Sequence, residues 1–274
     1  MLIFLVVLVG GYVLINVALY TFQRRLIYFP DTAVANLAAS GLEDVQEVTL
    51  RTSDGLDLLA WAGKPQAGMP SVVYFHGNAG HIGGRIDKIR PFLAAGYGVL
   101  LVEYRGFGGN KGRPTETGLY ADGRAAVDFL NTQGIGVKDI VLYGESLGTA
   151  VAVRMATEFA DRGDSVLALV LEAPFTSVVE VAANRFALFP IRRLLHDRFD
   201  SAAIINRVGT ATMIFHGEKD TTMPIRYGRK LFDLAADPKE SLWLAGAGHN
   251  DLFDHGGARA VLDFMARERA KQGK

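Results

Sequence analysis

The 274-residue chain contains no cysteine. Disulfides, thiol nucleophiles and thiolate-bound metal centres are therefore excluded, and the redox compartment stays open in either direction. A surplus of charge is missing too: 29 Lys and Arg face 29 Asp and Glu, so the balance favours neither nucleic acid nor an acidic partner. No internal repeat or low-complexity tract interrupts the chain. With 49% of its residues apolar, it can bury one large core, and one catalytic-size domain is the default.

Charge is absent in a second, local sense. The 21 residues from Leu2 to Phe22 carry none and are interrupted only by Gly10, Gly11, Asn16 and Thr21. As a helix this run measures about 31 Å, the thickness of a bilayer's hydrocarbon core. A cleaved signal peptide is the alternative, with Ala33-Val34-Ala35 as its cleavage site. Against it, no Lys or Arg precedes the run, the run exceeds a signal's apolar region, and Arg24, Arg25 and Pro30 intervene. Residues 1–25 are expected to be a single-pass anchor and residues 26–274 a globular domain that stays folded and active without it. Arg24 and Arg25 after the span favour a cytoplasmic catalytic domain.

Beyond the anchor, short β-rich runs alternate with helical periods. Val45 to Gly63 reads as a hairpin turning at Ser53-Asp54-Gly55. Strands are expected at Ser71–Gly77, Tyr97–Gly106, Asp139–Gly144, Val166–Pro174, Ala211–Gly217 and Ser241–Gly246, and none of the core before Val45. Their continuous apolar runs suit strands covered on both faces. Helical spacing appears at Leu119, Gly123, Val127 and Leu130, and at Ala258, Val261, Leu262 and Met265. Strand and helix in alternation imply a mostly parallel, doubly wound α/β sheet.

Within this frame "LYGESLG" is a G-x-S-x-G pentapeptide, Gly144 to Gly148, between an expected strand and an expected helix. A sharp strand-to-helix turn lifts Ser146 Oγ above the sheet and aims a helix N-terminus at a developing oxyanion. A bare pentapeptide is a weak signal; the strand before it and the helix after it make it a candidate nucleophile. A serine hydroxyl needs a base, and the base an acid that orients it. Of six histidines, His249 in "GAGHND" follows the last expected strand and is the candidate base, with His255 as competitor; His216, inside "FHG", reads as structural. Asp220 in "HGEKDTTMP" is the candidate acid, with Glu172 in "LEAPF" as rival. The oxyanion donors are expected at the Leu147 N–H and in the loop His76-Gly77-Asn78-Ala79-Gly80, at Asn78 or else Ala79.

The stretches "YFHGNAG", "VEYRGFGGNKGRPTETGLYAD", "LYGESLGTAVA", "FHGEKDTTMP" and "GAGHND", in that order behind a span ending "RRLIYFP", resemble the α/β-hydrolase superfamily. The nearest branch is that of membrane-anchored serine hydrolases, which includes the abhydrolase-domain proteins. The likeness covers nearly the whole chain. It implies a sheet of the eight-strand type and a Ser146, Asp220, His249 triad, in agreement with the reading from the residues. Some eukaryotic relatives remove acyl groups from proteins.

Residues 175–210 fall where relatives insert a cap over the active site. Phe186, Leu188, Phe189, Ile191, Leu194 and Leu195 there mingle with Arg185, Arg192 and Arg193, which suits either the packed face of a cap helix or a surface against a bilayer or acyl chain. The expectation is a membrane-anchored serine hydrolase cleaving an ester or thioester of a small-molecule or lipid-like acyl substrate through an acyl-enzyme. No metal, organic cofactor or nucleic-acid partner is expected. A peptidase of the same fold and a catalytically silent membrane-tethered scaffold are the alternatives.

Overall fold

The structure, a computed structural model, describes residues 1–272. It opens with helix α1 (Leu2–Ile27), long and apolar enough to cross a membrane. Nearly all its side chains are exposed; the covered positions include Asn16, Leu19, Gln23 and Ile27, whose spacing of three or four puts them on one face. Two residues, β1 (Phe29–Pro30), follow at once. The hairpin β2 (Val45–Arg51) and β3 (Asp57–Gly63) is antiparallel as expected. The positive φ at its turn belongs to Gly55 alone, while Asp54 instead pairs with Arg105 at 2.6 Å.

The rest alternates as the apolar runs imply: β4 (Ser71–Phe75), β5 (Ala79–Gly80), α2 (Ile86–Ala94), β6 (Gly98–Val102), α3 (Glu116–Thr132), β7 (Ile140–Glu145), α4 (Leu147–Ala160) and β8 (Ala168–Glu172). Next come the short helices α5 (Val178–Arg185) and α6 (Ile191–Leu194), then β9 (Thr212–Gly217), α7 (Arg226–Leu234), β10 (Lys239–Leu244) and α8 (Gly257–Gln272). Eight strands form one sheet in the order β10-β9-β8-β7-β4-β6-β3-β2. It is parallel from β10 to β6 and antiparallel across β6, β3 and β2. Every residue of β4, β6 and β8 is buried, because alternate side chains enter cores on both faces. Val73, Leu142 and Leu169 pack with α3 and α4 on one face. Tyr74, Tyr143 and Val170 pack with Phe92 of α2 and Phe264 of α8 on the other.

No strand of the eight-stranded sheet precedes Val45, as expected, but the chain before it does pair elsewhere. Phe29 and Pro30 lie parallel to Ala79 and Gly80 as a separate two-stranded ladder. The Phe29 N–H donates to the Asn78 carbonyl at 2.8 Å, and the Asn78 side-chain amide donates to the Ile27 carbonyl at 2.7 Å. That amide satisfies one of the carbonyls left open at the end of α1. The base of α1 and the glycine-rich loop after β4 are thus bonded in both directions.

The segment 175–210 carries α5 and α6 and leans on α1. Gln23, buried in an otherwise exposed helix, donates to the Leu194 carbonyl at 3.1 Å and accepts from the His196 N–H at 2.7 Å. Buried Asp197 takes hydrogen bonds from Arg24 at 2.9 Å, from the Tyr28 hydroxyl at 3.1 Å and from the Glu116 N–H at 3.2 Å. The last is the N-terminus of α3, where a carboxylate is favoured.

Two carboxylates lie side by side beneath the serine turn, Glu145 on β7 and Glu172 on β8. Arg85 grips Glu145 with two bonds, at 2.8 and 3.1 Å, and the Tyr74 hydroxyl adds a third at 2.8 Å. Glu172 is held by Lys88 and by the Tyr143 hydroxyl. Burial pushes the Glu172 carboxyl up, and neighbouring Glu145 adds to this while Lys88 opposes it. Burial acts on Glu145 in the same sense, but Arg85 and Tyr74 outweigh it and its carboxyl sits below the usual range. A raised folded value means that ionising Glu172 costs stability progressively as pH climbs above about 4.3, the unfolded glutamate value. Lys88→Met removes the cation that offsets this cost. The variant is expected to lose roughly 3 kcal/mol at pH 8 and clearly less at pH 5. Thermal unfolding of detergent-solubilised protein at the two pH values measures it, and equal losses at both would count against a buried ionised Glu172.

Candidate active site

The turn from β7 into α4 carries Ser146 at φ 50° and ψ −113°, a backbone conformation that side-chain-bearing residues rarely adopt. It persists because the surroundings leave no alternative. The Ser146 N–H donates to the Glu172 carbonyl at 2.8 Å, and its own carbonyl accepts from the Thr149 N–H at 3.0 Å and the Thr149 hydroxyl at 2.6 Å. The flanking glycines have a steric cause. A Cβ on Gly148 would sit 2.0 Å from the Phe75 carbonyl oxygen, and one on Gly144 2.5 Å from the Gly148 oxygen. Helix and sheet pass each other at backbone contact.

Three side chains from three loops meet here. Ser146 Oγ lies 3.2 Å from His249 Nε2, and His249 Nδ1 lies 2.6 Å from Asp220 Oδ2. An ionised carboxylate only accepts, so Nδ1 carries the proton and Nε2 turns its lone pair to the serine hydroxyl. Asp220, at the end of β9, also accepts from the Thr222 N–H at 2.9 Å and the Met223 N–H at 2.7 Å. Its other neighbour is His216, with Nε2 3.1 Å from Oδ2. His216 Nε2 also lies 2.7 Å from the Met223 carbonyl, and since that carbonyl and the ionised carboxylate only accept, Nε2 is the nitrogen that carries the proton. Burial pushes the Asp220 carboxyl up, but the bonds from His216, His249 and the Met223 N–H outweigh it and hold it well below the usual carboxylate range.

The competing residues stand elsewhere. Glu172 is occupied by Lys88 and Tyr143. His255 is partly exposed beside Asp251 at 3.6 Å, and His196 stacks obliquely on Tyr20. Leu147 opens α4, so its N–H has no intrahelical acceptor. Asn78 lines the same cavity as Ser146 and Leu147, whereas Ala79 does not. With the Asn78 amide committed to Ile27, its main-chain N–H is the donor left to face a substrate. The loop is braced from below by buried His76, 3.0 Å from Glu103, and by the Ile82 N–H, which donates to the same carboxylate at 2.9 Å.

The cavity over Ser146 measures about 490 Å³, within the range of small-molecule sites. Its walls are Phe175, Phe186 and Ile191 from residues 175–210, and Leu19, Leu26 and Ile27 from α1. The use of α1 as a wall could not be foreseen from apolar length alone. A signal for it existed: Tyr12, Asn16 and Tyr20 of the run, with Gln23 just after it, recur at three or four and share one helix face. Glu103, Glu145 and Arg85 carry no such signal, since isolated charges look solvated in a sequence.

Residues 70–204 match the family described as alpha/beta hydrolase fold. Protein bem46 of Schizosaccharomyces pombe is 31% identical over 266 residues, covering 90% of this chain and 87% of its own. The chain belongs to the α/β-hydrolase family. Within it the likeness runs to the abhydrolase-domain branch: a lysophosphatidylserine lipase of Danio rerio (ABHD12) is 35% identical over 189 residues, 64% of this chain but 49% of that protein, so the chain spans about half its length. An uncharacterized protein of Mycobacterium tuberculosis is 39% identical over 250 residues, 89% of this chain and 86% of its own. Among solved structures, the Pyrococcus furiosus esterase Pf2001 superposes with a TM-score of 0.69 at 19% identity, over 89% of this chain and 98% of that one; at that identity it speaks for the fold.

For this α/β-hydrolase, Asp220→Asn is expected to lower kcat on the order of 10³- to 10⁴-fold with the fold retained, since the amide disturbs the His249 tautomer. Glu172→Gln, in contrast, is expected to alter thermal stability far more than kcat. Steady-state hydrolysis of a soluble ester by both variants separates them, and the reverse pattern would transfer the acid to β8.

Proposed function

We propose that this hydrolase is a membrane-anchored serine hydrolase that cleaves an ester or thioester of an acyl or lipid-like substrate through an acyl-enzyme. The observation that carries the reading is the Ser146–His249–Asp220 chain of hydrogen bonds at the floor of a cavity walled mainly by apolar side chains. Ser146 Oγ attacks the acyl carbon while His249 Nε2 takes its proton. The developing oxyanion is met by the main-chain N–H groups of Leu147 and Asn78, each worth about 3 to 4 kcal/mol in the transition state. The imidazolium, supported by Asp220, then returns the proton to the departing alcohol or thiol. Water repeats the sequence on the acyl-serine and frees the acid.

An apolar cavity offers few partners for the peptide groups flanking a scissile amide, which weighs for acyl chains over peptides. The lipase and esterase names carried by relatives and fold neighbours point the same way. In this reading residues 1–25 are the anchor, residues 26–274 the hydrolase domain and residues 175–210 its cap. Retention of the anchor, rather than cleavage as a signal, is supported by the use of Leu19 and Gln23 in the cavity wall. Arg24 and Arg25 support a cytoplasmic catalytic domain.

A fluorophosphonate probe is expected to label the full-length protein in membranes, and Ser146→Ala to abolish both labelling and ester hydrolysis without changing the unfolding temperature. Persistent labelling of the alanine variant would remove Ser146 from the nucleophile's role, and its failure in the wild type would leave a silent scaffold. The truncation expectation changes with α1 in the cavity wall. A chain beginning after Arg25 is expected to be soluble and folded but to lose turnover of long-chain esters much more than of acetyl esters. Chain-length profiles of the two forms provide the measure, and identical profiles would deny α1 a share in the site.

A further inference from the structure

The tip of the cap, Phe186-Ala187-Leu188-Phe189-Pro190, reaches far along α1. The Phe189 ring stacks on Tyr12 at 5.7 Å between centroids, and the Tyr12 hydroxyl donates to the Leu188 carbonyl at 3.1 Å. Tyr12 is ten residues into the uncharged run, about 15 Å of helix from its start. The hydrogen bond from Gln23 to the Leu194 carbonyl is 11 residues further on, about 16 Å. If α1 spans a bilayer, the tip stands beside it within the hydrocarbon.

Two independent features suit that depth. A segment in hydrocarbon must satisfy its own polar backbone. Here most of the tip's backbone is satisfied: the Phe186, Phe189 and Ile191 N–H groups donate to the carbonyls of Ala182, Phe186 and Phe189 at 2.8, 3.0 and 2.8 Å, the Leu188 carbonyl takes the Tyr12 hydroxyl, and Pro190 has no N–H, which leaves the Ala187 and Leu188 N–H groups without a backbone acceptor among the described residues. Leu188 itself is 84% exposed, a large apolar side chain left largely uncovered among the described residues. Charge is ordered in the same sense. The tip is uncharged, while Arg185, Arg192 and Arg193 flank it and Arg25 lies one helical turn or less from the Gln23 contact. All four are exposed, and none has an acidic partner within ion-pair distance among the described residues. Unpaired arginines bordering an apolar insertion match the phosphates of a bilayer surface.

We propose that the cap tip inserts into the lipid bilayer beside α1 as a second membrane contact, so that the cavity between α1 and the cap takes its acyl substrate directly from the membrane. This rests on the anchor reading above. The insertion is continuous with the cavity: Phe186, Ile191 and Leu194 line it from the cap, opposite Leu19 and Gln23.

The absence of native cysteine allows single spin labels in the full-length chain, reconstituted in phosphatidylcholine–phosphatidylglycerol vesicles. Three sites are compared: Leu188→Cys at the tip, Val7→Cys in α1, and Leu234→Cys at the far end of α7, away from the strand ends that carry Ser146. The Leu188 label is expected to collide with dissolved oxygen and to be shielded from a water-borne nickel chelate, as the Val7 label is, while the Leu234 label behaves oppositely. A Leu188 label that follows Leu234, with Val7 still shielded, overturns the insertion and leaves the anchor standing. A Val7 label open to the chelate overturns the anchor and the insertion with it. In the enzyme assay, Leu188→Asp is expected to disfavour tip insertion on the order of 10²-fold, lowering turnover of vesicle-embedded long-chain esters with hydrolysis of a soluble acetyl ester unchanged. Equal effects on both substrates, or none on either, count against loading from the bilayer.

Discussion

Gly148 sets the geometry on which the site depends. A side chain there would have to share space with the Phe75 carbonyl, so only glycine lets α4 cross β4 at backbone contact. That contact bends the chain sharply after β7 and forces Ser146 into its strained conformation. The turn places Ser146 directly before the first residue of α4, so the Leu147 N–H, which has no intrahelical acceptor, stands next to it at the same cavity. The proposed nucleophile and one proposed oxyanion donor are thus products of one backbone constraint.

Charges under the floor keep the turn in place. Glu145, the variable residue of the pentapeptide, is not a surface charge but the centre of a buried cluster with Arg85 and Tyr74. Its neighbour across the strand pair, Glu172, receives Lys88 and Tyr143 and lends its carbonyl to the Ser146 N–H. A buried pair of this kind adds little net stability over an apolar equivalent, yet breaking one partner is costly. It fixes where β7, β8 and α2 stand relative to each other. Asp220 follows the same logic with hydrogen bonds: four donors converge on one carboxylate, which must then stay ionised and keep His249 in one tautomer.

The first helix does more than its composition announces. Its exposed apolar surface is what a membrane span requires, but one face carries Tyr12, Gln23 and Arg24, and this face holds the cap. Its last carbonyl is bound by Asn78, which lines the cavity together with Ser146. Helix α1, residues 175–210 and the loop after β4 are therefore joined by hydrogen bonds that do not pass through the sheet.

Much of this was legible beforehand because the physics is local. Apolar runs bounded by glycine mark β4, β6 and β8 whatever lies around them, and a strand, G-x-S-x-G and a helix in succession define the turn at Ser146. The order serine, acid, histidine favoured Asp220 and His249, which follow β9 and β10, and left Glu172 at the end of β8 as a rival acid. Other features depend on groups distant in the chain. No spacing tells that Arg85 will meet Glu145, that His216 will share Asp220 with His249, or that Phe29 will pair with Ala79. The sequence by itself determined the fold, the strained turn and an apolar helix long enough to cross a bilayer, because these follow from backbone sterics and from periodicity within a few residues. Only the tertiary structure decided that this helix walls the cavity above Ser146 and reaches the cap tip at Tyr12, because that depends on where two segments about 175 residues apart come to rest against each other.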